Sequence, residues 1–375
     1  MNNSDINWTG RLVVLVNNAG KVFVGGLAIT VTLSLAGCGP ASNDAEQEAA
    51  SAPALDAEEC STEEGSLRVY MNPWGPTLTD EFTADTGIET DIADLGGGEV
   101  LARISAEANN PQWDVVLLDG HGSLESLRQQ GYFLENPPVG NLDNLEEEAQ
   151  DLLPEDGAWI PISEHAAGVI AYNTEEFEES DAPETWEDLT KPEYAPVGIA
   201  DPAVAAPAYP IVSWIFQELG TEEAEEYFST INQNGLNLYD KNGPVATALA
   251  TGGVKTAILQ EQHAYEFMES GEPIEIVWSD EGSPGVVRAA AISANTPRPC
   301  AAAALIDWML DSDNMTYLME EGEDDGIITP YVKDVDQSSL PDARPEDPNI
   351  QITDAEFAAE NEAEIKDWFA NMQLQ

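Results

Sequence analysis

Three histidines stand in this chain of 375 residues, at His121, His165 and His263. Each falls where a strand-like run ends or where the chain crosses between such runs: Asp119-Gly120-His121, Glu164-His165 and Gln262-His263. An imidazole can ligate a borderline metal, or hydrogen-bond a phosphate or carboxylate. One histidine in such a place is more often structural, but three in equivalent places point to ligand contact. The same positions carry Asn72 and Trp74, Gly96–Gly98, Asp119, Glu164, Asp201, Lys241 and Asn242, and Gln260 with Gln262 and Tyr265. Trp74 could stack on a ring or sugar face, or simply close the core as a loop aromatic. Lys241 precedes Gly243-Pro244 and a helix start. It could pair with an anionic group beside that N-terminus, or be a plain surface lysine. No GxSxG elbow, HExxH helix or GxxxxGK[ST] loop occurs, so no reactive group is placed by a known backbone device. The chain is therefore not expected to be an enzyme, with a secreted hydrolase as the alternative of another class.

The elements that would position these residues alternate. Leu67–Met71 reads as a strand, Thr77–Thr86 as a helix stopped by Gly87, and Ile88–Ile92 as a second strand. A helix over Glu99–Ala108 leads to Asp114–Leu118, a continuous apolar run of the kind that a sheet covered on both faces requires. Ser123 is placed to cap the helix that follows, through Gln130. This β-α-β-α-β order predicts an open, mostly parallel sheet. A second set comprises strands 197–200, 236–239 and 255–259 and helices 210–219, 222–233 and 245–250. Strands 274–278 and 286–292, a helix 301–310 and a last helix 354–372 on the outside complete the chain.

The charge is extreme: 13 Lys and Arg against 71 Asp and Glu, a formal −58. The acids are scattered, so self-repulsion must be tolerated over the whole surface. In roughly molar salt the Debye length is about 3 Å and such repulsion is screened, which points to a halophilic source. Nucleic acid is excluded as a partner because no basic patch exists to neutralise phosphates.

At the N-terminus, Val22–Gly37 is an uncharged apolar stretch after Lys21, short for a membrane span and suited to a secretory signal. It ends in Leu35-Ala36-Gly37-Cys38, which resembles the bacterial lipobox. That resemblance implies a signal peptide over residues 1–37 and lipid on Cys38, which holds the chain to the outer face of the cell membrane. Residues 38–65 read as an acidic flexible tether. With Cys38 lipidated, Cys60 and Cys300 remain as a disulfide pair in an oxidising compartment, or as two buried thiols.

The order of landmarks resembles the family 1 extracellular solute-binding proteins of ABC transporters, in particular their ferric-iron-like branch. The resemblance is carried by LRVYMNPWGPTLTDEFTADTGIET, LGGGEVLARISAEANNPQWDVVLLDG, ISEHAAGVIAYNTEEF, TWEDLTKPEYAPVGIADP and AAAALIDWMLDSDN, which span roughly Leu67 to Asn314. It implies an α/β, two-lobed periplasmic-binding-protein-like fold. Each lobe would be a mostly parallel sheet flanked by helices, with crossings at residues 160–173 and 285–294 and a ligand in the cleft. Lobe one would be residues 66–162 plus 286–375, and lobe two 163–285. The partners implied are a small solute, a permease and an ATPase, with the chain itself a monomer; a sensor partner is not distinguished by sequence. Ferric-binding relatives use a histidine after the first strand, a carboxylate after the third and a Tyr-Tyr pair in lobe two. Here those positions carry Trp74, Asp119 and Gln262-His263, with Tyr265 two residues on, so an organic or phosphorylated solute is expected over iron. The metal alternative would gather Asp119, His121, His165 and His263 around one ion; no resident cofactor is expected.

Overall fold

The computed structural model describes residues 63–372. Two β-sheets organise it. The first contains β1 (Leu67–Met71), β2 (Thr90–Asp94), β3 (Val115–Asp119), β4 (Trp159–Ala166), β10 (Ser283–Ile292), β11 (Thr329–Pro330) and β12 (Ile350–Ile352). Its order is β11-β4-β10-β3-β1-β2, with β12 laid on β10. β1 runs parallel to β2 and β3, while β10 is antiparallel to both β3 and β4. The second sheet has the order β7-β6-β8-β5-β9, from β5 (Val169–Asn173), β6 (Val197–Ala200), β7 (Leu236–Tyr239), β8 (Thr256–Leu259) and β9 (Ile274–Val277).

Strand composition follows position. All five residues of β3 and all ten of β10 are buried, because these central strands are covered on both faces. β2, at the sheet edge, reads Thr-Asp-Ile-Ala-Asp and none of its residues is buried; its carboxylates discourage further strand pairing.

The helices of the first half are α1 (Gly75–Thr86), α2 (Gly97–Ala106), α3 (His121–Gln129) and α4 (Glu147–Leu152). Between β6 and β9 lie α5 (Ala208–Leu219), α6 (Thr221–Gly235), α7 (Asn242–Ala250) and α8 (Glu261–Glu269). After β10 come α9 (Pro299–Met309), α10 (Ser312–Glu321) and α11 (Ala355–Met372). α1 stops where expected, with Gly87 in the left-handed region at φ 74°. α3 starts three residues earlier than expected. Gly120, at φ 150°, is its N-cap, and Ser123 lies inside the helix, donating to Glu362 of α11 at 3.0 Å.

The chain passes between sheets twice, from β4 to β5 and from β9 to β10. Gly168 sits in the first crossing, where a Cβ would stand 2.9 Å from Ile258 and 3.1 Å from Ile211, so only glycine fits unmoved. The expected boundary at residues 162/163 falls inside β4, whose pairing with β10 extends to Ala166.

α11 departs from the expected partition more strongly. Its buried residues Ala358, Ile365, Phe369 and Met372 join the core built by α5 and α6. Phe369 meets Phe228 edge-on at 5.2 Å, and the Tyr209 hydroxyl donates to the Ala358 carbonyl. On its other side Ala358 presses on α3, where a Cβ on Gly122 would lie 2.6 Å away. The helix thus touches both halves.

Among the described residues no helix is long and apolar enough to cross a membrane. The signal segment, Cys38 and Cys60 lie outside the described residues. Cys300 is disulfide-bonded.

Candidate solute-binding cleft

The site is built where β1, β3, β4 and β8 end. Asp119, the last residue of β3, is buried and receives two bonds from the Arg288 guanidinium of β10, at 2.8 and 3.2 Å. The pairing is set by sheet register, since Arg288 stands opposite Asp119 on one side and Ser163 of β4 on the other. Burial alone would raise the Asp119 carboxyl, but Arg288 reverses this and holds it below the usual carboxylate range. Arg288 also donates to the Asp325 carbonyl at 2.8 Å and lies 4.3 Å above the Trp74 ring. Asp325 accepts the Trp74 backbone N–H at 2.9 Å. Burial pushes the Asp325 carboxyl up, against the pull of Arg288.

From Asp119 the network continues into the second half. His165 Nε2 lies 3.9 Å from the Asp119 carboxylate and 2.7 Å from the amide nitrogen of Gln260, just after β8. That amide also donates to Gln262 Oε1 at 2.6 Å, and Gln260 Oε1 accepts from Asn242 at 2.9 Å. Because Gln260 donates, His165 Nε2 accepts, and the ring proton sits on Nδ1. Burial lowers the His165 pKa to about 4, so the ring is neutral at ordinary pH.

Five buried polar atoms along this chain of contacts have no protein partner: Trp74 Nε1, Ser163 Oγ, His165 Nδ1, Asn242 Oδ1 and Gln262 Nε2. Only two others among the described residues share that condition, on Trp113 and Ser283. Each such group costs about 1–3 kcal/mol if left unbonded, so the concentration marks a place where a partner from outside belongs.

The two halves also touch beside this network. α2 begins at Gly97-Gly98, where Cβ atoms would meet Ala206 at 2.5 Å and the Val204 carbonyl at 2.4 Å. These glycines allow a close approach of the loop after β6. At the other side His263 of α8 lies 3.8 Å from Asp324, in the 3₁₀ turn Glu323–Gly326.

A family profile described as the bacterial extracellular solute-binding protein matches residues 77–351, most of the chain. The chain belongs to that family. Among curated relatives of this solute-binding protein, a probable ABC transporter periplasmic-binding protein of Sinorhizobium fredii is 26% identical over 239 residues, 61% of this chain and 64% of that one. Among solved structures, the periplasmic binding protein AfuA of Actinobacillus pleuropneumoniae, with fructose 6-phosphate bound, superposes with a TM-score of 0.73 at 21% identity. It covers 84% of this chain and all of that one. Iron-bound HitA of Pseudomonas aeruginosa gives a TM-score of 0.69 at 22% identity, covering 82% and 99%. At these identities the structural likeness carries the fold: two lobes, each with its sheet.

Against that frame the expected residues of the solute-binding protein sort into three groups. Trp74, Asp119, His165, Asn242 and Gln262 are brought together. The Trp74 ring is not free to stack on a solute, however, because it is buried with Arg288 over it; only its Nε1 is on offer. Glu164, Asp201, Lys241, His263 and Tyr265 lie around the network. Glu164 accepts from Tyr331 at 2.7 Å, and burial raises its pKa to about 7. Asp201 closes its own turn by accepting from Ala203 N–H. Tyr265 accepts from Trp278 at 3.3 Å, and burial pushes its hydroxyl up to about 12. Lys241 is exposed at the start of α7.

His121 is set apart. Val287 N–H approaches its Nδ1 at 3.5 Å, and Nε2 donates to the Thr353 carbonyl at 2.8 Å, so the backbone occupies both nitrogens. This corrects the expected ligand and metal sets. Asp119, committed to Arg288, and His121 do not converge with His165 and His263 on one ion. A different group, His263, Glu266 and Asp324, has its ligand atoms within 4.8 Å of one another at the cleft mouth. Sequence reasoning missed Arg288, Asp325 and the buried Arg344–Glu261 pair at 2.7 Å. Arg288 did leave a signal: a lone cation inside Val-Val-Arg-Ala-Ala-Ala-Ile.

Proposed function

We propose that this solute-binding protein is the capture subunit of an ABC importer, held outside the cell by lipid on Cys38, handing a small organic or phosphorylated solute unchanged to a permease and its ATPase. The observation that carries this reading is the interlobe network, in which residues of both halves leave buried hydrogen-bonding atoms without a partner along one chain of contacts. Open α/β sheets take ligands beyond the carboxyl ends of their strands, which is where this network lies. The lipobox-like Leu35–Cys38 supports the anchor, and the ABC assignment of the Sinorhizobium relative supports the transport role. The family and its ABC relatives are solute-binding proteins, which supports capture without turnover.

Native mass spectrometry tests this on protein incubated with dialysable yeast extract and then desalted. The expected result is one small adduct per chain, released with its mass unchanged and lost in Gln260→Ala. Absence of any adduct, or release of a chemically altered species, overturns the reading. A second reading, metal cargo, is favoured by one observation, the grouping of His263, Glu266 and Asp324. It requires a saturable one-site heat with a transition metal that His263→Ala abolishes.

A further inference from the structure

The charges around the interlobe network are already balanced. Arg288 is fully buried and spends its guanidinium on Asp119, at 2.8 and 3.2 Å, and on the carbonyl and carboxylate of Asp325, at 2.8 and 3.4 Å. Its face is covered by the Trp74 ring. The nearby Arg344 is equally committed, to Glu261 at 2.7 and 3.2 Å and to Thr329 at 2.9 Å. Lys241, the residue before Asn242 at the start of α7, is exposed to solvent. Among the described residues, then, both buried guanidiniums beside the network are already paired, and the Asp325 carboxylate lies against Arg288 and the Trp74 backbone.

The unmet atoms themselves form a mixed set. Trp74 Nε1, His165 Nδ1 and Gln262 Nε2 are donors, Asn242 Oδ1 is an acceptor, and Ser163 Oγ can be either. A phosphate or carboxylate only accepts. It would satisfy the donors but set its charge against the Asn242 Oδ1 acceptor, with no unpaired buried cation to offset its desolvation. A hydroxyl donates and accepts at once and can satisfy both kinds of atom.

We propose that the solute carries no net negative charge and presents several hydroxyl groups to Trp74, His165, Asn242 and Gln262. This rests on the solute-binding reading above and narrows it: Arg288 holds the site together and is not the hand that grips the ligand.

The test divides dialysable yeast extract on a strong anion exchanger at neutral pH and follows the thermal unfolding of the protein with each fraction. The unretained fraction is expected to raise the Tm by roughly 5 °C near saturation, and Gln262→Ala is expected to lose that rise. The eluted anionic fraction is expected to leave the Tm unchanged. Stabilisation by the anionic fraction alone overturns the charge inference and leaves the binding reading standing. Stabilisation by neither fraction overturns both. A rise that Gln262→Ala retains in full places the solute elsewhere and overturns the assignment to these residues.

Discussion

At the scale of single residues, Arg288 and Asp119 form a buried ion pair at 2.8 Å. Removing one partner strands the other charge in a place without water, which typically costs 3–5 kcal/mol. Arg288→Met is therefore expected to lose about that much stability in urea unfolding, and Asp119→Asn placed on the same background should recover part of it. A loss under about 1 kcal/mol would mean the carboxylates are solvated after all. Two neighbours titrate in opposite directions. Burial raises Glu164 to about 7 from 4.5, so its contribution to stability is complete at low pH and is lost as pH climbs through that interval. Burial lowers His165 to about 4 from 6.5, so its contribution is complete above that interval and is lost as pH falls through it. The two slopes oppose each other in the wild type. Thermal melts of His165→Gln should show stability falling from pH 4.5 to 7, and those of Glu164→Gln should show it falling from pH 6.5 to 4. Identical profiles for the two variants would contradict the assignment. The strand ends that carry the network were legible beforehand, since the strands were visible as apolar runs. Arg288 was not found because a strand-end rule looks past a strand's interior. His121 misled because its partners, Thr353 and Val287, are brought to it only by the folded chain.

At the scale of elements, the strands were easier to read than the helices that flank them. Largely apolar runs announce β3 and β10, because burial on both faces leaves room for few polar residues, here chiefly the paired Asp119 and Arg288. α8 went unread: Glu-Gln-His-Ala-Tyr-Glu-Phe-Met-Glu has its polar first turn buried against the hinge, where Glu261 accepts from Ala166 and Arg344, so its periodicity is masked. α11 was seen, but its neighbours were not, because contacts between elements distant in sequence leave no local pattern. Its role gives a prediction. Phe369 is fully buried among aromatic side chains of the half opposite to the one expected. Phe369→Ala should cost about 3–5 kcal/mol, measured by chemical unfolding, through the cavity it leaves. A cost below about 1 kcal/mol would show that α11 docks only loosely.

At the scale of the whole molecule, a formal charge of −58 must be held by a fold whose ion pairs employ only a few cations. The balance depends on screening. Dilute buffer should lower the Tm well below its value in molar salt, and a Tm indifferent to salt would show that the acidic surface is not self-repelling. The same surface surrounds two lobes that touch through Gly97-Gly98 and across His263 and Asp324, leaving unmet polar atoms between them. On the proposed reading a guest completes that arrangement and the lobes part without one. Small-angle X-ray scattering of the protein before and after exhaustive dialysis against guest-free buffer reads this directly. The account predicts a larger radius of gyration once the guest is removed and a return to the compact value when extract is restored; the same curve in both states would contradict it.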